Sequence, residues 1–146
     1  MSRLDTMDYT ADFLRGWPNE GAIESSVYRI ATGVDLEAGD LVQVSDNGGV
    51  TELVLNTTES NAAGIVVRGN LDDKSVAASG KAIVLWGGYV VRTTKVAAGL
   101  SVGDAVSAIG GVFDAATATT LPAQLGTVLE VGTLADATEY AVIVVR

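Results

Sequence analysis

The chain has 146 residues with 17 Gly, no Cys and no His, and 9 Lys+Arg against 18 Asp+Glu leave a formal charge of −9. Without Cys there is no disulfide scaffold, zinc ribbon, iron–sulfur site or thiol nucleophile, and without His the commonest metal ligand and general base are missing too. A pI near 4.2 argues against phosphate-backbone binding, which needs Lys/Arg stripes, and against an anionic membrane surface, so neither nucleic acid nor membrane is expected as a partner.

The length suits one domain, which removes roughly 70% of its unfolded surface from water and folds without staples. Aromatics make up only 5% of the chain, and the apolar content is carried by Val, Ala, Leu and Ile. Branched side chains fit a pleated surface and lose rotamer freedom in a helix, so the expected class is all-β. No apolar run approaches the about 20 residues that a membrane helix needs.

Met1 to Asp8 carries several acids and no apolar h-region, which is not the pattern of a secretory signal and implies intracellular synthesis. Residues 1–24 hold Tyr9, Phe13 and Trp17 without alternation and are expected to form an arm. Within it, residues 10–15 are expected to make one helical turn, ended by Gly16 before Pro18. Two readings stand for its aromatics: a lid on the protein's own barrel, or anchors on a neighbouring subunit or partner. The anchors in the second reading are Tyr9, Phe13, Leu14 and Trp17.

From residue 25 onward, short apolar runs alternate with Gly, Asp and Asn punctuation. Strands are expected at 26–32, 41–45, 49–53, 63–68, 81–86, 89–95, 105–109, 112–115, 126–131 and 139–146. Asp46-Asn47-Gly48-Gly49 and Gly110-Gly111 are hairpin signals, because Gly accepts the positive φ of primed turns. Gly87-Gly88 reads equally as a third tight turn or as a bulge at a barrel corner.

An internal echo organises these strands. Leu36-Glu37-Ala38-Gly39-Asp40 is answered by Leu100-Ser101-Val102-Gly103-Asp104, 64 residues on. Gly48-Gly49-Val50 and Ala63-Gly64-Ile65 return 62 residues on, and Ala82-Ile83-Val84 returns 59 residues on. Repeats at about 34–86 and 98–146 are expected to pair their edges with each other and bury their apolar faces. The expected architecture is a single compact β-barrel or sandwich spanning 25–146, built from two similar Gly-rich half-units with an extended N-terminal arm at 1–24.

Chemistry is sparse. There is no nucleophile elbow, phosphate loop or dinucleotide fingerprint. Lys74-Ser75 and Ser79-Gly80-Lys81 read as solvated turns. Asp40 and Asp104 hold equivalent places, and their short side chains are suited to accept backbone N–H bonds; Gly39, Asp40, Gly48, Gly103, Asp104 and Gly110 are thus structural turn residues. A calcium site at Asp40 with Asp35 and Glu37 is the alternative, without the usual Asp-rich loop. Trp86 and Tyr89 offer a sugar-stacking platform or plain core packing. Asn56-Thr57-Thr58 matches a glycosylation sequon by chance in a Thr-rich loop. No catalytic, metal or cofactor site is assigned, and the chain reads as no enzyme.

The phrases LEAGDLVQVSDNGGV, AAGIVVRG, GKAIVLWGGYVVRTT, LSVGDAVSAIGGVFD and LGTVLEVG, over residues 28 to 146, resemble the capsid decoration or cement proteins of tailed bacteriophages. Gly39-Asp40-Leu41-Val42, Gly64-Ile65-Val66 and Gly103-Asp104-Ala105-Val106 fill that family's aGD-V and G-[IV]-[AV] positions. The resemblance implies a non-enzymatic β-barrel on the outer surface of the phage head, made in the bacterial cytoplasm. It implies clamping of neighbouring major capsid protein subunits, usually as a homo-oligomer, trimer or dimer, and no cofactor. The arm has no match in the family. A carbohydrate-binding β-module of a tail or spike is the alternative function.

Overall fold

The computed structural model describes residues 10–15, 25–58, 63–72, 80–117 and 124–146. Among them are eleven strands and no helix: β1 Ala11–Arg15, β2 Ser25–Ile30, β3 Leu41–Asn47, β4 Val50–Leu55, β5 Gly64–Arg68, β6 Lys81–Leu85, β7 Tyr89–Thr93, β8 Ala105–Ile109, β9 Val112–Ala115, β10 Gly126–Thr133 and β11 Glu139–Val145. The all-β class holds, and every strand expected from residue 25 onward is present with ends shifted by a few residues.

The first unit is a closed five-stranded barrel in the order β2-β4-β3-β5-β6. The β3–β4 hairpin turns on Gly48 and Gly49, at φ 61° and 90°, a pair of positive angles that matches the strand twist. Closure comes from β2, which runs antiparallel to β6 and parallel to β4 through Arg29–Glu52 and Ile30–Leu53. Alternating residues fill the interior: Ile30, Leu36, Val42, Leu53, Val66, Ala82 and Val84, with Tyr28, Val34 and Trp86 at its margin. Each fully buried side chain of this kind contributes about 1.5–3 kcal/mol relative to exposure.

The second unit is a six-stranded sheet in the order β1-β7-β11-β10-β8-β9. Leaving β1 aside, its order repeats that of the barrel, strand for strand, with β7 to β11 standing where β2 to β6 stand. The correspondence reaches individual hydrogen bonds. A bulge interrupts β5 between Val66 and Arg68 and interrupts β10 between Val128 and Glu130. The β8–β9 hairpin turns on Gly110 and Gly111, at φ 65° and 86°, and has shorter strands than its counterpart. This shortening is why the sequence echo drifts from 64 to 62 residues. The parallel closure is reduced here to one bridge, Val96–Phe113, so this unit stays open where the first is shut.

The two units do not pair their edges with each other, contrary to the sequence expectation. Each keeps its own backbone ladder, closed in the first unit and open in the second, and they join face to face. In β5, Val66 points into the barrel while Ile65 and Val67 point out of it into a second core, with Leu41 and Leu85. That core is completed by Val91, Val106, Phe113, Val128 and Ile143 of the open sheet. The outer wall of the barrel thereby covers the concave face of the second unit, and one apolar core spans both. The seam is fastened where Leu41 N–H donates to Gly111 O (3.0 Å), Gly111 N–H to Asn56 Oδ1 (3.1 Å) and Gly110 N–H to Thr57 O (3.2 Å).

Two further expectations are corrected. Gly87-Gly88 is neither a hairpin turn nor a bulge, because β6 and β7 belong to different sheets and the pair is the crossing between units. Gly88 N–H donates to Val145 O, and a Cβ on Gly87 would lie 2.6 Å from Arg146 O, so the crossing presses against the end of β11. Residues 11–15 are strand β1 rather than a helical turn. Ala11, Asp12 and Phe13 pair with Thr93, Arg92 and Val91, and this ladder satisfies an edge that a helix would leave open. That much of the expected arm is part of the sheet.

Candidate functional site: the two Gly-Asp turns

The echoed phrases fold into the same turn twice. In the first unit, Glu37 N–H donates to Asp40 Oδ2 (2.8 Å), Asp40 N–H to Glu37 O (3.1 Å), Gly39 N–H to Val66 O (2.8 Å) and Val66 N–H to Asp40 O (3.0 Å). In the second, Ser101 N–H donates to Asp104 Oδ2 (2.8 Å), Asp104 N–H to Ser101 O (3.1 Å), Gly103 N–H to Val128 O (2.8 Å) and Val128 N–H to Asp104 O (2.9 Å). Gly39 and Gly103 sit at φ 96° and 93°, where a Cβ is disfavoured. Each Asp thus bonds its own turn and hooks the turn onto the bulged strand.

Their surroundings differ. The first turn is covered: Ala38 is fully buried, and its carbonyl accepts from the Thr10 hydroxyl. A Cβ on Gly39 would lie 3.0 Å from Ala11 Cβ and 3.2 Å from Thr93 Oγ1 and Lys95 Cγ. Lys95, from the second unit, pairs with Glu37 and, at 3.2 Å, with Asp40. Ala38 N–H and Gly69 N–H both donate to Asp72 Oδ2 at 2.8 Å, which ties the turn to the end of β5. The second turn is open, with Val102 63% exposed and Gly103 exposed.

Burial raises the Asp40 carboxyl above its ordinary value, outweighing the Glu37 N–H and the Lys95 charge. Burial works the other way on Lys95, but its bonds to Glu37 and Asp40 prevail and hold the ammonium charged beyond its usual range. The ion pair therefore offsets part of the cost of burying Asp40 without cancelling it. The Lys95 ammonium lies against both carboxylates, so Asp40 and Glu37 are engaged in salt bridges to Lys95. Asp35 instead accepts from Asn70 Nδ2 (3.0 Å). Among the described residues no group of three or more acids, His or Cys is arranged to hold a metal.

The other singled-out residues divide. Phe13 packs edge-to-face on Tyr89, ring centroids 5.9 Å apart, inside the protein's own fold, whereas Leu14 is 56% exposed at the sheet edge. Tyr9 and Trp17 lie outside the described residues, as do Lys74, Ser75 and Ser79. Tyr89 is 3% exposed and its phenol is pushed above its ordinary value by burial, so it offers no ring face to a sugar. Trp86 lies half-buried against Tyr28, centroids 5.6 Å apart. Asn56 is buried, its amide donating to Thr58 O (2.9 Å), which makes it a seam residue rather than a glycan acceptor. An open cavity of about 210 Å3 in the second unit is lined by Leu100, Val131, Glu139 and Tyr140 among others.

Sequence reasoning missed the polar residues that fasten β1. Asp12 Oδ2 lies 2.8 Å from Nη2 of the buried Arg92, whose guanidinium stands 5.7 Å from the Tyr140 ring centre. Thr10 O accepts from the Thr93 hydroxyl (2.9 Å) and Thr94 N–H (3.0 Å). These partners are about 80 residues apart, and no local pattern marks them. Compared with protein-family models, curated proteins and solved structures, the chain matches none.

Proposed function

We propose that this protein is a structural component of a phage virion: a decoration or cement protein that binds the outer surface of the assembled head and stabilises it by clamping neighbouring major capsid protein subunits. The observation that carries the reading is the repeated Gly-Asp turn. Two of the phrases that carry the resemblance are one device built twice, and each Asp is spent on the backbone of its own turn. Two ion pairs, Asp40 with Lys95 and Arg92 with Asp12, tie distant strands together. Such a framework suits a mechanical role, because a cement protein gains affinity by repeating one modest contact around a symmetric lattice. Homo-oligomers, trimers or dimers, would multiply that contact.

The test is co-sedimentation of the purified protein with empty phage heads, followed by thermal melting of the decorated heads. Saturable binding at symmetry-related positions and a higher head melting temperature are expected. Heads that neither bind the protein nor melt higher in its presence would overturn the reading.

A further inference from the structure

The repeat supplies an internal control for one surface. In the first unit the turn at 36–40, the half-buried Glu37 aside, and the outward residues of β5, Ile65 and Val67, are buried. Over the turn lie Thr10, just before β1, Ala11 of β1, Thr93 at the end of β7 and Lys95 just past it. The matching positions of the second unit are the turn at 100–104 and, on β10, Thr127 and Leu129. There Val102 is 63% and Leu129 50% exposed, and Thr127 is half-buried. The bond from Gly103 N–H to Val128 O sets this turn beside Leu129, as Gly39 to Val66 sets Ala38 beside Val67. The uncovered copy also carries the larger apolar residue, Val102 in place of Ala38. An exposed surface that repeats a core-facing one has the shape of an interface.

We infer that this face, centred on Val102, Leu129 and Asp104, docks a strand edge of a capsid subunit that presents a Lys or Arg beside a small side chain. The inference rests on the proposed role in the head. The chemistry of the occupant is read from the first unit, where the small residues Thr10 and Ala11, at the start of the edge strand β1, lie on the turn and Lys95 reaches Asp40. Replacement of Glu37 by Ser101 leaves one acid on the second turn, which calls for a single cation. The chain's charge of −9 favours encounter with a basic surface. A second copy of the chain is the poorer fit, because its β1 and Lys95 are engaged on its own first turn.

The experiment measures binding isotherms of the full chain on empty heads for wild type, Val102→Lys, Val102→Asp, Leu129→Lys and, as a control on the exposed hairpin of the barrel, Val50→Lys. All substituted residues are exposed, and melting temperatures close to wild type would verify folding. Val102→Lys and Leu129→Lys are expected to bind about tenfold or more weakly. Val102→Asp is expected to lose less than Val102→Lys, and Val50→Lys to bind as wild type does. Wild-type binding to heads that Val102→Lys and Leu129→Lys leave unchanged would overturn the inference alone. A change in oligomer mass with unchanged head binding would also overturn it and assign the face to a second copy. Failure of the wild type to bind heads would instead remove the proposed function, and this inference with it.

Discussion

Lys95, just past the end of β7 in the second unit, lies 3.2 Å from Asp40 in the first Gly-Asp turn, so an ion pair crosses the seam between the two repeated units. Burial disfavours the charge at both ends, but at Lys95 the bonds to Glu37 and Asp40 outweigh it. Asp40 is a carboxyl whose charged form is disfavoured in the fold, and Lys95 an ammonium whose charged form is favoured.

Asp40 should make stability pH-dependent in a recognisable sense. With its folded pKa raised above 3.8, the native state takes up the proton first. Its contribution is therefore fully present below 3.8 and is lost as pH rises through the raised folded value. Asp40→Asn keeps an acceptor for Glu37 N–H and removes the titration. In urea denaturation at pH 7 and pH 4, wild type should gain relative to Asp40→Asn at the lower pH. The opposite trend would mean that Lys95 stabilises the carboxylate more than burial penalises it.

Lys95 acts at the other end of the scale. Its raised pKa contributes stability that is present below 10.5 and is lost as pH rises through the folded value. Lys95→Met should flatten the alkaline limb of a melting-temperature profile, and an unchanged alkaline limb would count against the pairing.

The two turn glycines separate backbone strain from crowding. A Cβ at Gly103 meets nothing within 4 Å, so Gly103→Ala should cost only the positive-φ penalty, about 1 kcal/mol. At Gly39 the same φ is combined with Ala11 Cβ at 3.0 Å and Thr93 Oγ1 at 3.2 Å. Gly39→Ala should cost about 1–3 kcal/mol more by denaturant titration. Equal losses would show that the covered turn can give way.

Removing the partner of a buried cation should loosen β1. Arg92 is 6% exposed and Asp12 partly exposed, so Asp12→Ala should cost about 1–3 kcal/mol, below the loss at a fully buried pair. Hydrogen exchange should rise first in Ala11 and Phe13, which pair with Thr93 and Val91. Uniform exchange across all strands would contradict a local role.

Phe113 and Leu53 are fully buried counterparts on β9 and β4. Ala31 N–H donates to Leu53 O (3.1 Å) and Ala97 N–H to Phe113 O (2.8 Å), which identifies them as equivalents. Phe113 fills the core shared by both units and Leu53 only the barrel. Phe113→Ala should cost about 3–5 kcal/mol and Leu53→Ala about 2–5 kcal/mol, each read by urea denaturation. Cooperative loss of both units in the Phe113 variant is expected, and two separate unfolding transitions would show that the core does not couple them.

Much of this molecule is written locally. The primed hairpins at Gly48-Gly49 and Gly110-Gly111, the Gly-Asp turns and the Val-rich strands follow from φ preference, side-chain reach and period-two patterning, each acting over a few residues. The repeat was legible for the same reason, since equal turns leave equal phrases. The short polar stretch Thr10-Ala11-Asp12 has no such pattern, and β1 exists because the edge of β7 is there to pair with it.

By itself, then, the sequence determined the β class, the turns and the doubling of the unit, because those depend on neighbours in the chain. The tertiary structure alone decided that one unit closes and the other stays open. It also decided that Ala38 is covered while Val102 faces outward, and that Lys95 meets Asp40. These outcomes depend on which surfaces meet, and contacts between residues tens of positions apart leave no mark on local spacing.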